Sequence, residues 1–465
     1  MSTVLTTTSV DEHPSPTGPL AVNFTPIRML EVELSRPLPA ILGLDEATGR
    51  RYRRALALVR LHTHPLGLVE LELGEHGLGA GEYAAAIWRA LGADITTHLR
   101  TDGLPEVTAL DASGLPHDEE RPVCLRERER FLEIAPFVSV IIPTNERADR
   151  LATCLHSLLA SDYPDFEIIV VDSVPKTTTT ADLYQREYAD SPRVRYIRED
   201  RSGSAAARNR GLAIARGDIV AFTDDDVIVD RYWLAEMIKG FTVADDVACV
   251  TGLILPMEIE TPAQLWFEQY GGFSKGFARR VYDLEENRSD NPIYPYNMGG
   301  FGSGNSMAFD RRILRGLGNF DPTLGNGTPA LGGVDVEAFL RVVVNGHKLV
   351  YEPAAIVHHL HRRDYAALRR QVYYYGVGMT AILTRTVLHR PSLLLDLARK
   401  VPAGVRYALN PRSDLNNKKG TDYPAELTQL DHKGMVYGPL AYMRSWWWWH
   451  ISLSLGRRQL GRRRR

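Results

Sequence analysis

The stretch Phe137–Ser173, FVSVIIPTNERADRLATCLHSLLASDYPDFEIIVVDS, decides the fold. Val138–Ile142 (VSVII) is a continuous β-branched run, the pattern of a strand covered on both faces in a parallel sheet. Leu151, Leu155, Leu158 and Leu159 follow at helical spacing. Ile168–Val171 (IIVV) is a second buried strand. Strand, helix and strand in this order predict a βαβ unit.

Outward from it the alternation continues. Val194–Ile197 (VRYI) reads as a third, weaker strand, Ala205–Ala215 as a helix and Ile219–Phe222 (IVAF) as a fourth strand. The predicted class is α/β, with a Rossmann-like, mostly parallel sheet. Ligands of such sheets sit outside the carboxyl ends of the strands, and the polar motifs of this chain lie at those ends.

Four segments are predicted. Residues 1–25, rich in Ser, Thr and Pro, read as a disordered tail. Residues 26–136 form a small α+β accessory domain and linker, with alternating runs at Ile27–Leu34 and Leu68–Leu73 and a helix from Ala80 to Leu91. The dense mixed charge of residues 112–130 reads as linker. Residues 137–375 carry the α/β domain. Residues 376–465 form a helical region ending in SWWWWHISLSLGRRQLGRRRR.

The 465 residues are 44% hydrophobic and 24% charged, which excludes collagen-like, disulfide-stapled and wholly disordered chains. The net charge of −2 gives no reason to expect nucleic acid as a partner. Seven arginines follow Met443; without them 48 basic residues face 57 acidic ones. Cys124, Cys154 and Cys249 stand far apart, reading as reduced, buried thiols of a cytoplasmic protein. The first twenty residues lack a basic and apolar leader pattern, and no uncharged run reaches the length of a membrane-spanning helix.

Thr223–Val227 (TDDDV) follows a buried strand directly. Three adjacent carboxylates repel unless positive charge sits among them, and a hard cation, Mg²⁺ or Mn²⁺, is the natural partner. An acidic solvated turn is the alternative. Pro143–Glu146 (PTNE) and Asp172 follow the first and second strands, where polar groups either bind a nucleoside or make turns. In GGVDVEAFLRVVVNG, Asp335 and Glu337 lie near a helix start, as a general base or as helix-terminus carboxylates. His358, His359 and His361 stand beside Arg362, as ligands of metal or phosphate or as structural groups. GFSKG at 272–276 matches a nucleophile-elbow spacing, but no strand precedes it.

Taken in order, PTNE, VVDS, RNRGLAIARGDIVAFTDDD, GSGNS, GGVDVEAFLR and VHHLHR resemble family 2 glycosyltransferases of the GT-A fold over about residues 137–375. The resemblance implies roles by position. Pro143, Thr144, Glu146 and Asp172 would hold the nucleoside, and Arg208, Asn209, Asp224 and Asp225 would lie at the donor. Asp224 and Asp226 would form the DxD pair, with Asp226 the metal anchor and His359 a late metal or pyrophosphate ligand, His358 and His361 being rivals for that place. Asp335 would be the base. Gly304, Asn305, Glu337, His361 and Arg362 are candidate acceptor or phosphate contacts. The implied reaction moves a sugar from a UDP-, GDP- or dTDP-linked donor to a glycan, lipid-linked or small-molecule acceptor with inversion. Two features depart from the family: Val334 precedes Asp335 where an acid is frequent, and Val174–Thr180 follows VVDS without a second Asp.

The rival readings are a nucleotidyltransferase on a related fold, against which the glycine-free PTNERADR loop speaks, and a non-catalytic carbohydrate- or partner-binding protein. Trp446–Trp449 and the terminal arginines predict either attachment to an anionic membrane surface on the inner leaflet, suited to glycolipid or cell-envelope synthesis, or a Trp cluster packed on the catalytic domain.

Overall fold

The computed structural model describes residues 24–463 except 47, 116–120, 411–412 and 414–415, with side chains described to Ile451 save at 409. The disorder expected for residues 1–25 falls, but for the last two, outside the described residues, as do the side chains of the terminal arginines.

Ile27–Glu33, Arg54–Leu61 and His64–Glu72 form a three-stranded sheet, the first pair parallel and the second antiparallel. Val69 and Leu71 point inward between exposed Glu70 and Glu72, the period-2 alternation of a half-buried strand. The helix Ala80–Thr101 covers that face with Tyr83, Ala84, Ile87, Ile95 and Leu99. The hairpin turn is His62–Thr63, both in the left-handed region at φ 53° and 70°.

Part of the expected linker is instead a helix, Val123–Glu133. Its charges are not all solvated. Arg128 is buried, pairs with Glu236 at 3.2 Å and lies 3.9 Å over the Tyr232 ring, while Phe131 and Leu132 pack on the central core.

The central sheet has nine strands. Ile219–Phe222, Val138–Thr144, Phe166–Ser173 and Val194–Glu199 run parallel in that spatial order. Beyond Ile219–Phe222, Met307–Asp310 pairs antiparallel and joins Val247–Pro256, Lys348–His359 and Val227–Val229. Arg280–Tyr282 adds to Lys348–His359. The helices Ala148–Leu159 and Ser204–Ile214 cross between the parallel strands, and apolar clusters cover both faces. The VSVII and IIVV runs are fully buried, as their composition requires. The sheet is a mixed α/β structure of GT-A type.

Three helices close the chain: Tyr365–His389, Leu393–Leu409 and Ala425–Arg463. The first and third meet at glycines. A Cβ on Gly434 would stand 2.3 Å from the Tyr373 carbonyl oxygen, so only glycine permits this approach. Among the described residues no helix is long and apolar enough to cross a membrane.

Candidate functional site

Strand register sets the site. Thr144 pairs with Asp172, and Ile141 with Phe222, so the PTNE turn, the end of VVDS and the acidic triplet share one rim of the sheet. Across the sheet Val227 pairs with His359, which brings the late histidine beside the triplet. A cleft of about 2690 Å³ opens there. Pro143, Thr144, Arg208, Asp224, Asp225, Asp226, Gly304, Asn305, Asp335, His359, His361 and Arg362 all line it.

Asp226 is buried. Its Oδ1 lies 3.4 Å from His359 Nε2, and its Oδ2 lies 3.1 Å from Arg147, 3.7 Å from Arg150 and 4.0 Å from Arg362. Burial works against ionisation here, but the His359 hydrogen bond and the arginine charges outweigh it and hold the carboxyl well below the usual range. Asp225 accepts from Thr144 Oγ1 at 2.7 Å and from Arg147 at 3.0 Å; burial still pushes it up, aided by the charge of Asp226. Asp224 faces Arg208 at 3.3 Å and is likewise pushed up by burial.

His359 is held from behind. Its Nδ1 is 3.0 Å from His361 Nδ1, and His361 Nε2 is 2.7 Å from Glu268. This chain aims His359 Nε2 at Asp226, as outer partners orient a metal-bound imidazole. Two ligands each ~2.1 Å from one ion stand ~3 Å apart, close to the observed Asp226–His359 spacing. Asp226 and His359 thus offer one oxygen and one nitrogen at a spacing that fits a shared Mg²⁺ or Mn²⁺ ion, with Asp224 two residues away on the same rim.

Asp335 sits in the first turn of the helix Val334–Val344, and its Oδ2 accepts the Gly304 N–H at 2.6 Å. Gly304 is hemmed in by the Asp335 carboxylate on one side and the Arg208 guanidinium on the other. Asp224 and Arg208, and Gly304 and Asp335, are thus paired neighbours along the cleft lining. Asn305 is buried, with its carbonyl accepting from Thr223 Oγ1 at 2.8 Å.

Other sequence-predicted residues lie elsewhere. Glu337 does not reach the cleft: it is buried between Arg385 at 2.6 Å and Arg341 at 3.1 Å. Two helical steps rotate it about 200° from Asp335, onto the opposite face. Asn209 binds the Phe320 backbone in both directions, at 2.8 and 3.0 Å, and buttresses the cleft from behind. Glu146 accepts from the Lys176 and Thr177 backbone and from the Thr177 hydroxyl, which fixes the loop after Asp172. Asp172 takes the Tyr196 hydroxyl at 2.8 Å on Oδ2, while its buried Oδ1 has no hydrogen-bond partner; burial raises its pKa. It stands just behind Ser173 and Val174 of the cleft wall. His358 alternates to the other face of its strand and meets Glu31 at 3.3 Å. Arg147, Arg150 and Glu268 were not singled out by sequence. Arg147 and Arg150 are three apart at a helix start, a spacing that puts both on one side.

Residues 139–313 match the sequence profile described as Glycosyl transferase family 2. This segment belongs to glycosyl transferase family 2. The chain is 28% identical over 246 residues to the pre-mycofactocin glycosyltransferase of Mycobacterium tuberculosis, covering 51% of this chain and 46% of that protein. It is 22% identical over 231 residues to the glucosyl-dolichyl phosphate glucuronosyltransferase of Haloferax volcanii, 48% of this chain and 68% of that one. The chain thus spans about half the length of the first of these relatives. Among solved structures it is similar to the mannosyltransferase PcManGT of Pyrobaculum calidifontis in complex with GDP-Man and Mn²⁺, at TM-score 0.40 and 21% identity, over 70% of this chain and 92% of that one. The family 2 segment holds the acidic triplet and Glu268, whereas Asp335 enters the cleft from the helix beyond it.

Proposed function

We propose that the chain is an inverting glycosyltransferase that moves a sugar from a nucleoside diphosphate donor to an acceptor hydroxyl. The observation that carries this is the meeting of Asp226 and Asp335 in one cleft, which Asp224, Arg208 and Gly304 also line.

The donor's anomeric carbon loses its bond to the diphosphate oxygen as the acceptor oxygen attacks from the opposite side. Asp335 takes the acceptor proton, a contribution typically of ~10²–10⁴-fold. Negative charge grows on the leaving diphosphate. Arg147, Arg150 and Arg362 face the triplet from the cleft wall and supply donors for that charge. A divalent cation held by Asp226, Asp224 and His359 would supply Lewis-acid stabilisation of the same charge. Pro143, Thr144, Ser173 and Val174, at the ends of two parallel strands, form the part of the cleft rim that would hold the nucleoside. The donor is UDP-, GDP- or dTDP-linked, and the acceptor a glycan, a lipid-linked sugar or a small molecule. Three exposed tryptophans, Trp446, Trp447 and Trp448, support peripheral attachment to an anionic membrane surface.

Thermal shift against UDP, GDP and dTDP, each with and without Mn²⁺, followed by a donor screen scored by nucleotide release, tests this reading. Metal-dependent stabilisation by one nucleotide and release from its sugar conjugate are expected. No response to any nucleotide would leave a carbohydrate- or partner-binding protein.

A further inference from the structure

Away from the cleft, four side chains of metal-ligating type converge. His62 lies in the hairpin turn, His98 and Asp102 at the end of the helix Ala80–Thr101, and Cys124 at the start of Val123–Glu133. Their ligand atoms all lie within 4.8 Å of one another. Asp102 Oδ2 is 2.6 Å from His62 Nδ1, 3.2 Å from His98 Nε2 and 3.0 Å from Cys124 Sγ, and the two imidazole nitrogens are 3.2 Å apart. Two imidazole nitrogens and a thiol crowd a single carboxylate oxygen while the second oxygen accepts the Cys124 N–H at 2.9 Å. An oxygen with two lone pairs is poorly matched to three such neighbours, whereas a cation would take all four ligand atoms.

We propose that His62, His98, Asp102 and Cys124 form a closed, tetrahedral structural site for a zinc ion, which clamps the N-terminal sheet to the helix leading into the central sheet. Donor chemistry selects the metal. Thiolate and imidazole suit zinc, whereas Mg²⁺ takes oxygen ligands. Four protein ligands leave no open position, which marks a structural and not a catalytic ion. Bond lengths of about 2.0–2.3 Å at a tetrahedral angle space the ligands ~3.3–3.7 Å apart, so the tightest pair, His62 Nδ1 and Asp102 Oδ2 at 2.6 Å, need open by about 0.7 Å.

Charge balances too. Asp102 and Cys124 as anions offset the dication, and His62 and His98 bind neutral. His62 and Asp102 are buried, where an unbalanced ion is costly. The Cys124 thiol must lose its proton to bind the ion. Binding forms the Zn–S bond and releases that proton to solvent. The site lies four residues before Arg128, which reaches Thr63 Oγ1 at 2.8 Å and Glu236 in the central unit at 3.2 Å. A filled site fixes both ends of that bridge.

Chelator-stripped full-length protein titrated with Co²⁺ alone tests this. One tetrahedral Co²⁺ per chain is expected beside any ion held in the cleft, with a thiolate-to-cobalt charge-transfer band and the strong visible bands of tetrahedral cobalt, which one equivalent of Zn²⁺ displaces. Cys124→Ala should lose the charge-transfer band, while Asp226→Asn, altered in the cleft, should keep it. A folded wild-type chain that gives no such band at stoichiometric Co²⁺ overturns the proposal whether or not the variants fold. A band that survives Cys124→Ala overturns it as well. Neither result bears on glycosyl transfer.

Discussion

Gly304→Ala isolates the placement of Asp335 from its chemistry. A Cβ on Gly304 would stand 2.8 Å from Asp335 Oδ2, 3.1 Å from Asp335 Cβ and 3.0 Å from Arg208 Nη2. Ordinary contact to a Cβ begins near 3.4 Å. The Asp335 side chain must therefore retreat by about half an ångström, since its own Cβ is anchored in a helix turn and cannot swing clear. The 2.6 Å hydrogen bond from the Gly304 N–H then lengthens. A misplacement of ~1 Å at a reacting group costs ~10²-fold, so half of that predicts a fall in kcat of about tenfold. Gly304 has no positive φ to protect, so folding should survive. Steady-state nucleotide release gives kcat and donor KM, and thermal melting gives the fold control. Lower kcat with donor KM and melting temperature near wild type is the expected result. Wild-type kcat in a folded Gly304→Ala chain would refute the claim that Asp335 acts from this position.

Three further predictions follow from contacts already described. His359→Ala should abolish the Mn²⁺-dependent part of the thermal shift with nucleotide, while His358→Ala, on the other face of the strand, should retain it. Glu337→Gln should leave nucleotide binding intact but lower stability in denaturant melts by about 3 kcal/mol, because Arg385 and Arg341 lose a buried counter-charge; unchanged stability would contradict that pairing. Flotation with anionic liposomes should weaken when Trp446, Trp447 and Trp448 are replaced by Ala, and equal flotation would remove the membrane surface as a partner.

The parallel half of the sheet was legible because VSVII, IIVV and IVAF are buried runs that carry the signal in composition alone, whereas Val227–Val229, Val247–Pro256, Arg280–Tyr282, Met307–Asp310 and Lys348–His359 were not read. The strand Arg54–Leu61 was not read: it is the middle strand of the small sheet, and its run lacks both clean alternation and a bounding turn signal. The helix Val123–Glu133 was read as linker because its charges are satisfied by residues distant in sequence, Arg128 by Glu236. Within the site, motif order brought out Asp226, Asp335 and His359, which all line one cleft. Choosing among the three histidines needed strand alternation, which puts His359 in the cleft and His358 behind it. Glu337 was separable from Asp335 by helical rotation alone. The arginines facing Asp226 and the cluster around Cys124 depend on pairings between distant segments; only the i,i+4 spacing of His98 and Asp102 hinted at the latter.

The central claim is that Asp226 and Asp335 serve the two sides of one transfer. Asp335→Asn measured for nucleotide affinity and turnover together tests it most directly. Donor-nucleotide affinity should stay within about twofold of wild type while kcat falls by ~10²–10⁴-fold. A folded Asp335→Asn chain that turns over at the wild-type rate would contradict it.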